Sequence, residues 1–302
     1  MKGFISYKTF ILLFIVLLLA FLALLLSRKP SNNRNWAEDF AILPTIEQNP
    51  IEKNIYKVFN IRNWTFNANG PTQKNYIDRE VDINKINNVW FMLQPFGAYD
   101  LVAHAFVIFD FEDSCPIAIS VEARKEDGEK YSVFKGLVKE FEISYLWLTE
   151  QDVYTNRVIF NDDALYMYPL KIDKASAQKL FVSYVNVTND LQNNPKFYNT
   201  FTDNCTNAIA SVANNASLET KISKFAIGNY ITGLSLDYLY HNGLLISQDD
   251  SLDVLRSKHY INSIFAKNFA SYQVNNDGCN SELSKLIRKF DKKESALESS
   301  VN

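Results

Sequence analysis

The chain has 302 residues, 47% hydrophobic and 14% aromatic, with a formal net charge of −3. This is enough apolar material for one large core or two modest ones, and it excludes a disordered chain. Well-mixed charges offer no basic face to nucleic acid. Three cysteines (Cys115, Cys205, Cys279) and three histidines (His104, His241, His259) have neither a disulfide-framework nor a metal-site spacing, and nine glycines form no phosphate-cradling loop, so no metal or cofactor is expected.

In chain order, residues 10–26 (FILLFIVLLLAFLALLL) contain no polar side chain. As a helix they extend about 26 Å, enough to span a hydrocarbon core with some flanking help. Lys2 and Lys8 precede them as in a signal peptide, but the LLLSRKPSNN that follows lacks a small-x-small cleavage site. The reading is an uncleaved anchor over residues 9–27, preceded by a short N-terminus at 1–8. Charge does not orient it, since Arg28, Lys29 and Arg34 balance the two lysines. Residues 28–45, polar and proline-punctuated, read as a linker before a domain over 46–270.

Strand-like runs fill the first half of that domain: 55–66, 87–96, 101–111, 117–124, 140–149, 156–160 and 164–170. The runs LVAHAFVIFDF and IAISVEAR flank the short turn EDSCP and read as an antiparallel hairpin, in which simple closure sets His104 opposite Glu122 or Ala123. A helical pattern follows over 174–194, a second helix begins after Asn204, and the chain to about 270 is helical or irregular. Residues 271–302 form an amphipathic tail in which Leu283, Leu286, Ile287 and Phe290 share a stripe amid basic residues. Packing of that stripe on the domain is favoured over an anionic membrane surface. Cys115 and Cys279 remain free to pair, leaving Cys205 as a thiol.

Cys205 has the surroundings of a nucleophile. A cysteine attacks as thiolate, and the unpaired N–H groups and dipole of a helix N-terminus favour the anion. Asp203 and Asn204 are good cap residues that would put the sulfur in the first turn, and the small TNAIA after it leaves room for a carbonyl held by backbone N–H groups. Core packing is the competing reading of the same cysteine. His104, in an otherwise apolar strand, is the candidate base, and a carboxylate at Glu122 would orient its ring. Arg124, on the same strand face, is assigned an ion pair or a lipid-headgroup contact. Tyr198 and Asn204 border the nucleophile as wall and oxyanion contributors. His241 and His259 read as solvated or capping side chains.

Histidine on a strand, polar residue on the next strand and cysteine at a later helix start is the order of the permuted branch of the NlpC-type papain-like superfamily. Over residues 55–250 the chain more closely resembles the Lnb N-terminal periplasmic domain family: it carries AHxF at 103–106, SxEARxExGExYS at 120–132 and YNxxxxNCT at 198–206. The resemblance implies an α+β, permuted papain-like domain, an antiparallel sheet packed on helices, behind one transmembrane helix. It implies a thiol enzyme of the bacterial inner membrane, single-pass, with residues 1–8 cytoplasmic, its domain in the periplasm and Cys205 and His104 at the catalytic positions. Some members transfer an acyl chain from a lipid through the cysteine to an α-amine of a lipoprotein, and those carry further spans after the domain. The expected function is therefore thiol acyl transfer or acyl hydrolysis on membrane lipid or lipoprotein, with a membrane-protein partner as a source of further spans. The aromatic runs FVIFDF and YLWL offer a lining for an acyl groove. A cell-wall peptide peptidase or amidase using the same dyad, and a non-enzymatic envelope scaffold, are the alternatives.

Overall fold

The structure, a computed structural model, describes residues 7–96, 101–216, 221–223, 226–246, 250–268, 277–279 and 281–289. The uninterrupted apolar stretch forms α1 (Tyr7–Ser27), none of it buried and long and apolar enough to cross a membrane. The chain continues as β1 (Thr45–Gln48), β2 (Ile55–Asn67), β3 (Gly70–Asp82), β4 (Ile86–Phe96), β5 (Val102–Phe111), β6 (Ile117–Arg124), α2 (Val133–Leu137) and β7 (Glu142–Thr149). Then come α3 (Glu150–Tyr154), a π-helical turn (Thr155–Phe160), β8 (Tyr166–Pro169), α4 (Lys174–Asn193), α5 (Cys205–Asn215), α6 (Ser235–His241), α7 (Leu252–Lys258), α8 (Asn262–Asn268) and α9 (Ser281–Ile287). One mixed sheet runs β1-β2-β7-β6-β5-β4-β8, with β3 paired to β2. Its described pairings are antiparallel except where β2 meets β7.

The sheet is covered on both faces, which is why its central strands read as continuous apolar runs instead of alternating. Along β5, Ala103, Ala105, Val107 and Phe109 enter a core with Phe181 and Tyr184 of α4 and Ala208 of α5. Phe106 and Ile108 point the other way, into a second core with Tyr154, Phe265, Leu283 and Ile287. The mixed α+β character thus holds. The aromatic side chains of FVIFDF and YLWL are buried in these two cores, and none of them lines the cavity at Cys205.

Three elements differ from the sequence reading, while the described part of the C-terminal stripe packs on the domain as favoured. β3 was not expected: its GPTQKNYIDREVD is mostly exposed, so it carries no apolar alternation and is held by backbone pairing to β2. NRVIF at 156–160 is not a strand. Thr149 caps α3 by accepting from the Asp152 N–H, and the buried Asp152 accepts two bonds of 2.8 Å from Arg62 and one of 3.0 Å from the Trp64 N–H, so the helical turn is pinned from its start. Residues 28–45 are no free linker: Asn32 bonds the Leu191 and Gln192 carbonyls, Arg34 pairs with buried Glu142 at 2.8 Å, and Phe40 joins the second core. The described part of the C-terminal tail also belongs to the domain. Leu283 and Ile287 are buried, Arg288 grips Asp110 through two 2.7 Å bonds, and Cys115 is disulfide-bonded to Cys279. A stripe already buried against the sheet is not available to a membrane surface. Phe290 lies outside the described residues.

The Arg62–Asp152 pair is buried, and removing one partner strands the other charge. Asp152→Ala should therefore cost about 3–5 kcal/mol of folding free energy, measured by denaturant unfolding, whereas a solvated pair such as Lys196–Asp190 should cost little when broken.

Candidate active site

β5 and β6 are hydrogen-bonded only over Phe106–Phe109 and Ile117–Ser120. Beyond the last pair, Phe106 with Ser120, the strands part toward the end of the sheet. Extending that register sets His104 opposite Glu122, the first of the two pairings the hairpin allowed. Both side chains lie on the face of the second core, where the His104 ring stacks on Phe106 at 5.7 Å. Cys205 arrives from the other layer, as the first residue of α5, with its sulfur 3.9 Å from the Ala103 carbonyl. Thiol and imidazole from opposite halves of the chain come together at the sheet end, both lining one cavity and close enough for the thiol to raise the imidazole pKa.

The hydrogen bonds fix how the ring is used. Ser120 donates its one hydroxyl proton to Glu122 Oε1 at 2.7 Å, so at its 2.7 Å contact with His104 Nε2 it can only accept. Nε2, also 3.2 Å from Glu122 Oε1, therefore carries a proton. That leaves Nδ1 as the ring nitrogen able to take a proton from the sulfur. Glu122 also accepts from Arg157 at 2.9 Å, and Arg157 in turn donates to Gln94 at 2.6 Å.

Burial opposes a charged imidazole, and Arg157 adds to that opposition. The Glu122 carboxylate outweighs both: an opposite charge at such a distance is worth about 5 kcal/mol at an effective dielectric of about 20. His104 is pushed up to about 9. Burial likewise works against ionised Glu122, yet His104, Arg157 and Ser120 hold it well below the usual carboxylate range. The site is thus built around a part-buried cation–anion–cation triplet.

The helix start that presents Cys205 is tightly specified. Asn204 caps α5 by accepting from the Asn207 N–H at 2.9 Å, while its amide donates to the carbonyls of Thr200 and Asn229 at 2.8 Å each. Its side chain is fully committed to this role, so the oxyanion donors left at this end are backbone N–H groups of the first turn. Tyr198 forms a wall as expected. Its hydroxyl lies 3.4 Å from that of Tyr131, and burial, then the neighbouring Cys205 and Tyr131, raise its pKa. Arg124 is elsewhere: it is buried, donates to the Phe40 carbonyl at 3.0 and 2.9 Å and to Asn32 at 3.1 Å, and stacks on Trp36 at 3.9 Å. It holds the 32–41 segment on the domain and contacts neither Glu122 nor a headgroup. Of the remaining histidines, His241 bonds the Asp237 carbonyl in an exposed last turn, and His259 is buried against the Met167 carbonyl.

Sequence reasoning missed Ser120, Arg157 and Gln94. Ser120 was within reach, two residues before Glu122 and so on its face of the strand. Arg157 carried no signal, because its π-helical turn had been read as a strand.

These groups open into a cavity of about 320 Å³, whose walls include His104, Glu122, Arg157, Tyr198 and Cys205 and whose mouth carries Phe96, Leu101 and Phe201. Among the described residues no group of three or more His, Cys, Asp or Glu could hold a metal ion. A single buried thiol, one imidazole with an orienting carboxylate and a helix N-terminus define a thiol–imidazole site of the nucleophilic kind. The model of the Lnb N-terminal periplasmic domain family matches residues 72–232, more than half of the chain and all of these groups, and the chain belongs to that family. No curated protein and no solved structure matches it. A periplasmic domain behind one apolar N-terminal helix fits a membrane-associated periplasmic protein, although a signal sequence has the same length and composition.

His104, with its pKa raised, adds stability that is complete below pH 6.5 and lost as pH rises through about 9, and Glu122, with its pKa lowered, adds stability lost on acidification. Glu122→Gln should therefore bring the His104 titration from about 9 down to or below its ordinary 6.5, read by imidazole NMR. It should also flatten the fall in unfolding free energy across that interval.

Proposed function

We propose that the protein is a membrane-anchored periplasmic thiol enzyme that moves acyl groups of lipid or lipoprotein through a thioester on Cys205, in a permuted papain-like arrangement. The observation that carries this reading is the Cys205–His104–Glu122 line at the mouth of an aromatic-rimmed cavity. In the first half-reaction the sulfur, its proton passed to His104 Nδ1, attacks the ester carbonyl carbon. A C–S bond forms, and the oxyanion is met by backbone N–H groups at the start of α5. The C–O bond then breaks, and His104 returns the proton to the departing alkoxide. In the second half-reaction an amine or water gives its proton to His104 and attacks the thioester, and the C–S bond breaks to restore Cys205.

Glu122 holds the Nε2–H and stabilises the imidazolium, while Arg157 and Ser120 keep Glu122 ionised and aimed. Family membership and α1 support a site held beside lipid, where a membrane protein is a fitting partner.

Incubating the full-length protein with an alkyne-tagged phospholipid should leave a hydroxylamine-labile label on Cys205 that Cys205→Ala abolishes. His104→Ala should slow it about 10²–10⁴-fold, the usual share of a general acid–base. Release of peptides from purified sacculi, without lipid label, would assign the dyad to cell-wall amides instead. No reaction in either assay would leave a tethered scaffold.

A further inference from the structure

Large exposed apolar side chains are not spread evenly over this domain. Outside α1, and among the described residues, about half of them gather at the cleft mouth: Phe96, Leu101, Val102, Val133, Phe201 and Tyr230 line it, and Phe134, 68% exposed, stands beside it on α2. Concentrated apolar exposure of this kind marks a surface that something covers. What covers it follows from where α1 ends.

α1 is not joined to the domain by slack chain. Arg28, one residue past its end, donates to the carbonyls of Val138 and Lys139 at 3.2 and 3.1 Å and to Glu140 at 2.7 Å. Ser31 then bonds Glu142 at 3.0 Å. Val138 directly follows α2, so the exit of α1 is fastened about one helical turn, roughly 6 Å, from Phe134. α2 is in turn locked to the segment that leads into Cys205. Thr200 donates to the Val133 carbonyl at 2.8 Å, and Gly136 packs so closely on Thr200 and Tyr198 that a Cβ would meet Thr200 Oγ1 at 2.3 Å. Charge complements this arrangement. Lys29, Lys130, Lys135 and Lys139 surround the same region, while the carboxylates of Glu140 and Glu126 are spent on Arg28 and Arg34.

We propose that this mouth is a membrane-insertion surface: α2 and the aromatic lip facing it sink into the leaflet from which α1 emerges, and the cleft takes its acyl substrate sideways from that leaflet. The proposal rests on α1 being an anchor, as in the function proposed above. The lipid bilayer is the occupant because the chain enters it within a turn of the patch, and α1 ties the two together covalently. The apolar lip reaches the acyl region, and the surrounding lysines keep their ammonium groups among the phosphates while their stems lie along the interface. An acyl ester of a glycerolipid sits at that boundary, level with a cleft whose nucleophile lies just inside the lip.

The test uses the full-length chain in nanodiscs of zwitterionic and anionic phospholipid doped with doxyl-labelled lipid. A fluorophore is placed at Phe134→Cys, or as control at Asp113→Cys, in a Cys205→Ser background. Asp113 is exposed in the β5–β6 turn, about 30 Å along the strand from His104. Quenching should be several-fold stronger at 134 than at 113, since an inserted apolar face lies about 5–10 Å into the headgroup boundary. With Cys205 intact, Phe134→Asp should cut acylation by bilayer lipid on the order of tenfold or more, while alkylation of Cys205 by iodoacetamide stays unchanged. Equal quenching at the two positions overturns the proposal even if Cys205 still takes an acyl chain from detergent-dispersed lipid. Strong quenching at 134 without any acylation keeps the surface and overturns the catalytic reading instead. An intact mass lacking α1 overturns the proposal through its anchor.

Discussion

Everything at the working end of this domain depends on a carboxylate kept ionised in the gap between two strands. Glu122 is buried, and alone it would be costly to charge. It stays charged because His104, Ser120 and Arg157 all donate toward it. The same arrangement explains why β5 and β6 stop pairing where they do. A ladder continued to His104 would hold the two backbones at the usual strand spacing, and the side chains meet Cys205 only because the strands have separated at the sheet end. The gap costs backbone hydrogen bonds and yields a cavity with a thiol on one wall and a buried imidazole on the other.

The sulfur and the ring belong to different layers. His104 shares its face with Phe106 and the second core, and Cys205 belongs to the first core with α4 and α6. Such a site can form only at an end of the sheet, where side chains from both faces reach around it. The two covers are secured by different means. α4 and α5 pack through aromatic and alanine side chains. α9 is held by Arg288 on Asp110 and Glu150, with the Cys115–Cys279 bridge closing the loop nearby. The segment after α1 completes the frame, tied by Arg124 to Phe40 and by Glu142 to Arg34. Arg124, expected to make an ion pair or a headgroup contact, thus secures the connection between the apolar helix and the domain.

What could be read in advance was whatever one short stretch of chain decides. The apolar run of α1, the helix start at Cys205 with its Asn204 cap, and the β5–β6 hairpin with His104 opposite Glu122 or Ala123 all follow from neighbours in sequence, because helix capping and hairpin closure are local. β3 escaped because an exposed strand held by backbone bonds has no pattern in its side chains. The 156–160 run misled because its strand-like composition yields to a cap at Thr149 and to Arg62, some ninety residues earlier. By itself the sequence determined a helix that starts at a capped Cys205, a hairpin that carries His104 and Glu122, and one helix long and apolar enough for a bilayer. Only the tertiary structure decided that Arg157 belongs to the site, that Arg124 does not, and that the helix exit lies beside the cleft, since these depend on contacts whose partners are far apart along the chain and are selected by packing.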